Sequence, residues 1–480
     1  MKVIRFGIIL IISFLLISAS ILIQANSTFG EGSHTRQIQG RTELSAGLPN
    51  KASFSSVEVF DVNGNGQDEL YLGGAGRGSV KTAGIHAFEY DKESKEWKRF
   101  GTGLPEQSSG KYYGALSFGD VNGDGNVDLI APLHTQWYSG DKNGIEVYLG
   151  NGSGGFSLKH TIDTGESVTE ADVSDIDGDG FIDIAVSSNS AIRVWFGAGS
   201  VINWTEKSPP KAGNEITGMD AGDLNHDGLL DLVGCPYSNS IAIRMYIQTS
   251  KRTWDEIEFK HVKSEAFGIK ITDMDADGNS DIIYGTRNEG IKAWLGNGGG
   301  SIGGTDFQWK DGSAGLHDSG GHWQQLEFQD ITGDGKPELI AGNNGGEEVY
   351  LYINDQPKGW AWIFTGDITS DDPLLKEDGL IIGGEPYGAN FGDWDGDGEW
   401  DAAACSWGKG VKAWLINGVG STGGVTPNNS VPVEYPEGGK TPPKLIGYDE
   451  QTRSKIMLYI GVVIAAVIVF VIIFFYYKKK

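Results

Sequence analysis

The sequence predicts an all-β chain: a seven-bladed β-propeller of four-stranded blades, closed by an N-terminal strand and followed by one C-terminal transmembrane helix. Three observations predict it. An acidic loop motif recurs seven times, beginning at Asp61, Asp120, Asp175, Asp223, Asp273, Asp330 and Asp393. The intervals are 59, 55, 48, 50, 57 and 63 residues, a period that signals propellers or arrays. Around each loop the same four short strand-like runs return, with no helical period among them. The seventh repeat also lacks its last strand, while a strand-like run stands unclaimed before the first loop.

Taken in order, the chain begins with a short basic stretch (Met1 to Arg5) and an apolar run from Phe6 to Ile23. Ser18-Ala19-Ser20 and Ile23-Gln24-Ala25 both suit a cleavage site, so residues 1–25 read as a secretory signal. The run is long for a signal, and an uncleaved anchor is the competing reading. Residues 36–420 carry the repeats. Within each repeat a run ending at the loop comes first, as in Ala115 to Phe118 or Gly268 to Ile271. An apolar run leaves the loop, as in Ile182 to Val186. A third carries an aromatic residue (Tyr148, Trp195, Trp294, Trp414), and a fourth is marked by Trp97, Trp204, Trp254, Trp309 or Trp360. The stretch Thr42 to Pro49 matches fourth-strand exits such as Gly101 to Pro105. The N-terminal strand is therefore expected to complete the last blade, removing the open edge. A Pro/Gly-rich linker over 421–455 leads to residues 456–477, uncharged and long enough to span a bilayer. The three lysines at 478–480 are expected on the cytoplasmic side.

Composition narrows the function. With 38 basic against 64 acidic residues the net charge is −26, which argues against nucleic acid and fits cation binding or an extracellular surface. The 73 glycines with only 15 prolines suit a turn-rich β protein rather than a disordered chain. Cys235 and Cys405 each sit in an apolar strand-like run and are expected as buried free thiols. Stability must then come from packing and metal.

The loops follow the pattern Asp-x-[Asp/Asn]-x-[Asp/Asn]-Gly-x-x-[Asp/Glu]. Position one is the Asp named for each loop above. Position three holds Asn63, Asn122, Asp177, Asn225, Asp275, Thr332 and Asp395, and position five Asn65, Asp124, Asp179, Asp227, Asp277, Asp334 and Asp397. Position six is always glycine, and the closing position nine is Glu69, Asp128, Asp183, Asp231, Asp281, Glu338 or Asp401. Carboxylates this crowded repel one another unless a cation intervenes. All-oxygen ligands in a flexible loop suit Ca²⁺ better than Mg²⁺, and with no His or Cys at ligand positions a zinc site is not indicated. An EF-hand is excluded because position twelve is apolar and lies inside a strand. Up to seven Ca²⁺ are thus expected, most loosely held at Asp61 and at Thr332. The loops hold 25 of the 64 acidic residues, and seven ions would reduce the charge from −26 to −12.

These loops, with Phe118-Gly119-Asp120, Phe391-Gly392-Asp393 and the Gly-Asn-Gly turns at 150–152 and 296–298, resemble the FG-GAP/VCBS repeats of integrin α-chain propellers. The resemblance implies calcium loops between first and second strands on one face, and ligand binding on the opposite face. It departs from integrins in its linker, too short for leg domains, and in a tail of three lysines, too short for signalling.

The opposite face is expected to display Trp137, Tyr138, His322, Trp323, Tyr387 and Trp407 as partner-binding residues, since exposed aromatics with polar neighbours suit protein or sugar recognition. Loop 369–390, with Asp371, Asp372 and Glu377, is the largest insertion there. No Gly-x-Ser-x-Gly, His-Glu-x-x-His or phosphate loop is present. The expected function is therefore a non-enzymatic, calcium-binding surface recognition or adhesion protein, single-pass in the cell membrane, whose propeller binds an extracellular protein or glycan. A surface polysaccharide lyase or hydrolase is one alternative, and an accessory subunit of a membrane complex is another.

Overall fold

Each loop folds back a pair of antiparallel strands in one fixed register. The residue before the first Asp always pairs with the closing acid: Phe60 with Glu69, Gly119 with Asp128, Ser174 with Asp183, Gly222 with Asp231, Thr272 with Asp281, Gln329 with Glu338, and Gly392 with Asp401. A computed structural model describes residues 38–75, 82–105, 111–134, 144–200, 203–210, 215–237, 243–259, 264–344, 348–354, 362–364, 380–382 and 385–418. These form seven sheets, six of which add four strands outward in chain order. The third blade, for example, runs Val168–Ser174, Asp183–Ser188, Ile192–Phe196 and Thr205–Glu206. First strands of successive blades pack against one another around the axis. Second strands, covered on both faces by neighbouring blades, are buried at every position, which is why their sequences read as apolar runs.

The ring closes as expected from the sequence. Ile38–Glu43 pairs antiparallel with Gly410–Gly418, making the outer strand of the seventh blade, and Lys412 Nζ donates to Glu43 across this seam at 3.0 Å. The sixth blade departs from the plan: Leu380–Ile381 pairs with Glu348 and Val349 as an additional short strand. Glu385–Gly392 is the first strand of the seventh blade, so the latter part of the expected loop 369–390 is strand. Asp371, Asp372 and Glu377 lie outside the described residues, as do segments 1–25, 421–455, 456–477 and 478–480. Among the described residues no helix is long and apolar enough to cross a membrane. Cys235 and Cys405 are both buried free thiols.

A feature the sequence reading missed lies three residues before each loop. Glu58, Ser117, Asp172, Asp220, Lys270, Glu327 and Asn390 are polar in all seven copies, and several line an axial cavity of about 230 Å³. With Glu170, five carboxylates here face one ammonium, Lys270, which pairs with Glu327 Oε1 at 3.1 Å. Burial raises Glu170 to about 7 and Asp220 to about 8, and pushes Glu58 and Asp172 up as well. A carboxyl whose folded pKa is raised stabilises the fold below its unfolded pKa, and loses that contribution as pH rises through the folded value. Calcium-free protein should therefore melt at lower temperature at pH 8 than at pH 5.5. Asp220→Asn should flatten the difference by on the order of 1–2 kcal/mol, discounted for solvent screening. A pH series of melting curves checks this.

Candidate metal-binding loops

Backbone hydrogen bonds shape every loop before any ion is considered. The first Asp accepts two amides: position five donates to one oxygen and position six to the other. In the third loop Asp179 N donates to Asp175 Oδ1 and Gly180 N to Asp175 Oδ2, both at 2.9 Å. The same pair recurs at Asp61, Asp120, Asp223, Asp273, Asp330 and Asp393. This curl requires left-handed backbone at position six, where φ runs from 82° at Gly66 to 91° at Gly180. A side chain at most of these glycines would meet nothing, so the backbone angle, not space, demands glycine. Position four is left-handed too, and there His226 and Ala276 adopt φ of 61° and 59° without being glycine.

The closing acid has a second task. Its one oxygen accepts the amide of position two and its other oxygen that of the third strand's end. Asp183 takes Ile176 N at 2.9 Å and Gly197 N at 2.8 Å, and Asp128, Asp231 and Asp281 repeat this. Position two is the plug beneath: Val62, Val121, Ile176, Leu224, Met274, Ile331 and Trp394 are all buried. Its signal, an apolar residue after every first Asp, was readable in the sequence and was missed. Burial pushes the closing acids up, to about 7 at Asp128, Asp183, Asp231 and Asp281, about 8 at Glu69 and Glu338, and about 9 at Asp401. Loop carboxylates add repulsion, while backbone amides act the other way. A bound cation would offset the charge penalty.

The seven loops separate by their third position. Where it is Asp, three carboxylates converge. Asp175, Asp177 and Asp183 bring ligand oxygens within 4.8 Å of one another, as do Asp273, Asp275 and Asp281, and Asp393, Asp395 and Asp401. Each trio holds an oxygen buried without a hydrogen-bond partner: Asp177 Oδ1, Asp275 Oδ1 and Asp401 Oδ2. Buried acceptors lacking donors are rare, and a hard cation is what such oxygens suit. Where the closing acid is Glu, position three is turned inward instead. Asn63 Nδ2 donates to Glu69 Oε1, and Thr332 Oγ1 to Glu338 Oε1 at 3.3 Å. Those are the first and sixth loops, the two expected to bind most loosely. In the second and fourth, Asn122 and Asn225 offer a neutral oxygen.

The opposite face corrects part of the expectation. Trp323 is 0% exposed, packed against His317 and Tyr350 with its Nε1 donating to Gly320 O. It belongs to the core between the fifth and sixth blades and is removed from the partner-binding residues. Trp407 is 9% exposed and stacks on Tyr387 at 4.6 Å, so Tyr387 is the accessible member of the pair. Trp137 and Tyr138 lie outside the described residues. His322 is half-buried, its ring 4.0 Å from that of Phe267 and its Nε2 2.7 Å from Gln324 Nε2. Beside it the Arg287 guanidinium lies 5.7 Å from both Tyr237 and Phe267 rings and pairs with Glu265 at 2.7 Å. Tyr237 and Arg287 were not among the residues expected from the sequence to bind a partner.

Comparison with known proteins adds four findings. An FG-GAP-like repeat model matches residues 175–234 and 273–341. Integrin alpha-PS3 of Drosophila melanogaster is 25% identical over 213 residues, covering 39% of this chain, which spans 19% of that relative's length. Among solved structures, an Agrocybe aegerita lectin that recognises non-reducing terminal N-acetylglucosamine gives a TM-score of 0.45 at 17% identity, over 68% of this chain and 82% of its own. BBS1N, solved in complex with ARL6DN, gives 0.48 at 12% identity, over 80% and 97%. The chain thus carries FG-GAP-like repeats on a seven-bladed β-propeller.

Proposed function

We propose that this protein is a non-enzymatic, calcium-binding recognition protein of the cell surface, whose propeller holds an extracellular protein or glycan. One observation carries the reading. Seven loops of one backbone design crowd one face, and three hold buried carboxylate oxygens that lack any donor. Ca²⁺ would be held by positions one, three, five and nine, foremost in the third, fifth and seventh loops. The ions supply charge neutralisation that burial makes necessary, so that face is a scaffold rather than a contact surface. Recognition falls to the other face, around Tyr237, Arg287, His322 and Tyr387. Aromatic rings beside a guanidinium suit stacking against a sugar or an aromatic side chain. The N-terminal signal and the span at 456–477 would tether the propeller outside the cell, and the likeness to an integrin α chain agrees with such a place.

A glycan and protein array probed with the calcium-loaded full-length chain tests this. Retained binding that Arg287→Ala and Tyr237→Ala each reduce at least tenfold, with melting temperature unchanged, is the expected outcome. New reducing ends or unsaturated products from a polysaccharide panel would instead make the protein an enzyme.

A further inference from the structure

We propose that Arg252 is a built-in counter-cation of the third loop, keeping that loop closed without calcium and weakening its hold on the ion. The proposal rests on the calcium reading above. Arg252 comes from the neighbouring fourth blade, in the turn between Ile243–Ser250 and Thr253–Phe259. Its Nε donates to Asp177 Oδ2 at 2.5 Å and its Nη2 to Asp179 Oδ2 at 3.1 Å. Lys251 Nζ adds a bond to Gly178 O at 3.1 Å. Positions three, four and five of this loop are therefore all gripped from outside their own blade.

The grip is built rather than incidental. The guanidinium stacks 4.3 Å from the Phe196 ring of the third blade, and Arg252 itself holds a left-handed φ of 62° in its turn. Arg252 N donates to Gln248 Oε1 at 2.6 Å, while Gln248 Nε2 donates to Ile176 O and Leu230 O, both at 2.9 Å. The turn is thus fastened to the buried plug of the very loop that its arginine holds. Asp177 is 1% exposed, and its Oδ1 faces the oxygens of Asp175 and Asp183 with no donor of its own. The arginine takes the outer oxygen and leaves the inner one to an ion. Two cations then share one carboxylate, and their repulsion lowers affinity without blocking the site. The fifth and seventh loops have Lys310 and Lys92 in their surroundings, flexible point charges rather than a stacked fork. By carboxylate count the third loop equals the fifth; by this geometry it binds calcium more weakly and depends on it less.

Calcium titration calorimetry on the full-length chain, with melting curves in chelator, tests the proposal. Asp175→Ala first identifies the third-loop ion, by removing one from the stoichiometry. Arg252→Asn, which tolerates left-handed backbone, should tighten that ion on the order of tenfold and lower the chelator melting temperature, leaving other ions unchanged. Unaltered or weaker affinity would overturn the role of Arg252 while leaving the calcium reading intact. Stoichiometry unmoved by Asp175→Ala would overturn calcium binding at this loop and the proposal with it. Should Arg252→Asn fail to fold, Arg252→Lys decides: a smaller tightening supports the proposal, and none overturns it.

Discussion

Withdrawing calcium is expected to lower the melting temperature by on the order of 10 °C. The size follows from linkage. An ion that binds only the folded chain stabilises it by about 2.7 kcal/mol at a hundred times its dissociation constant. Three sites, those with converging carboxylates at Asp175, Asp273 and Asp393, then contribute roughly 7 kcal/mol together, the arginine-held third loop the least. A propeller of this length unfolds with an entropy that turns such a sum into about ten degrees. Sites of extracellular type reach that saturation only above millimolar calcium. Differential scanning calorimetry in excess calcium and in EGTA reads the shift directly, and Asp275→Ala should reduce it by about a third.

Asp231→Ala is expected to cost about 2–6 kcal/mol even without calcium. Asp231 is wholly buried and accepts Leu224 N at 3.0 Å and Gln248 N at 2.7 Å. Removing the carboxylate strands two buried amides, each worth about 1–3 kcal/mol when left without an acceptor. Asp231→Asn keeps one acceptor and should fall between. Urea unfolding in calcium-free buffer separates this role from metal ligation: a loss seen only with calcium present would mean that the carboxylate is a ligand and not a staple between strands.

The loops were legible because their demands are local. A left-handed glycine, an Asp that curls the chain over itself and a closing acid one strand later leave a pattern that seven copies make visible. The closure was legible for a similar reason: a missing fourth strand at one end matched a spare one at the other. Residues whose meaning depends on neighbouring blades were not. Trp323 follows Gly320 and Gly321, which reads as a loop, yet the first strand Trp323–Gln329 begins with it. Its burial is made by room elsewhere: a side chain on Gly285 would meet Trp323 Cβ at 2.6 Å, and one on Gly321 would meet its Nε1 at 2.5 Å. Arg252 is hidden likewise, 75 residues in sequence from the Asp177 it grips. The acidic cavity was open to view, as a polar residue three places before each loop, but alternation within a short strand does not say which face meets the axis.

Equilibrium dialysis of the full-length chain against ⁴⁵Ca²⁺ tests the central claim most directly. At least three ions per chain are predicted, one for each trio of converging carboxylates, with one fewer in Asp275→Ala. A chain that retains no calcium at millimolar concentration would contradict it.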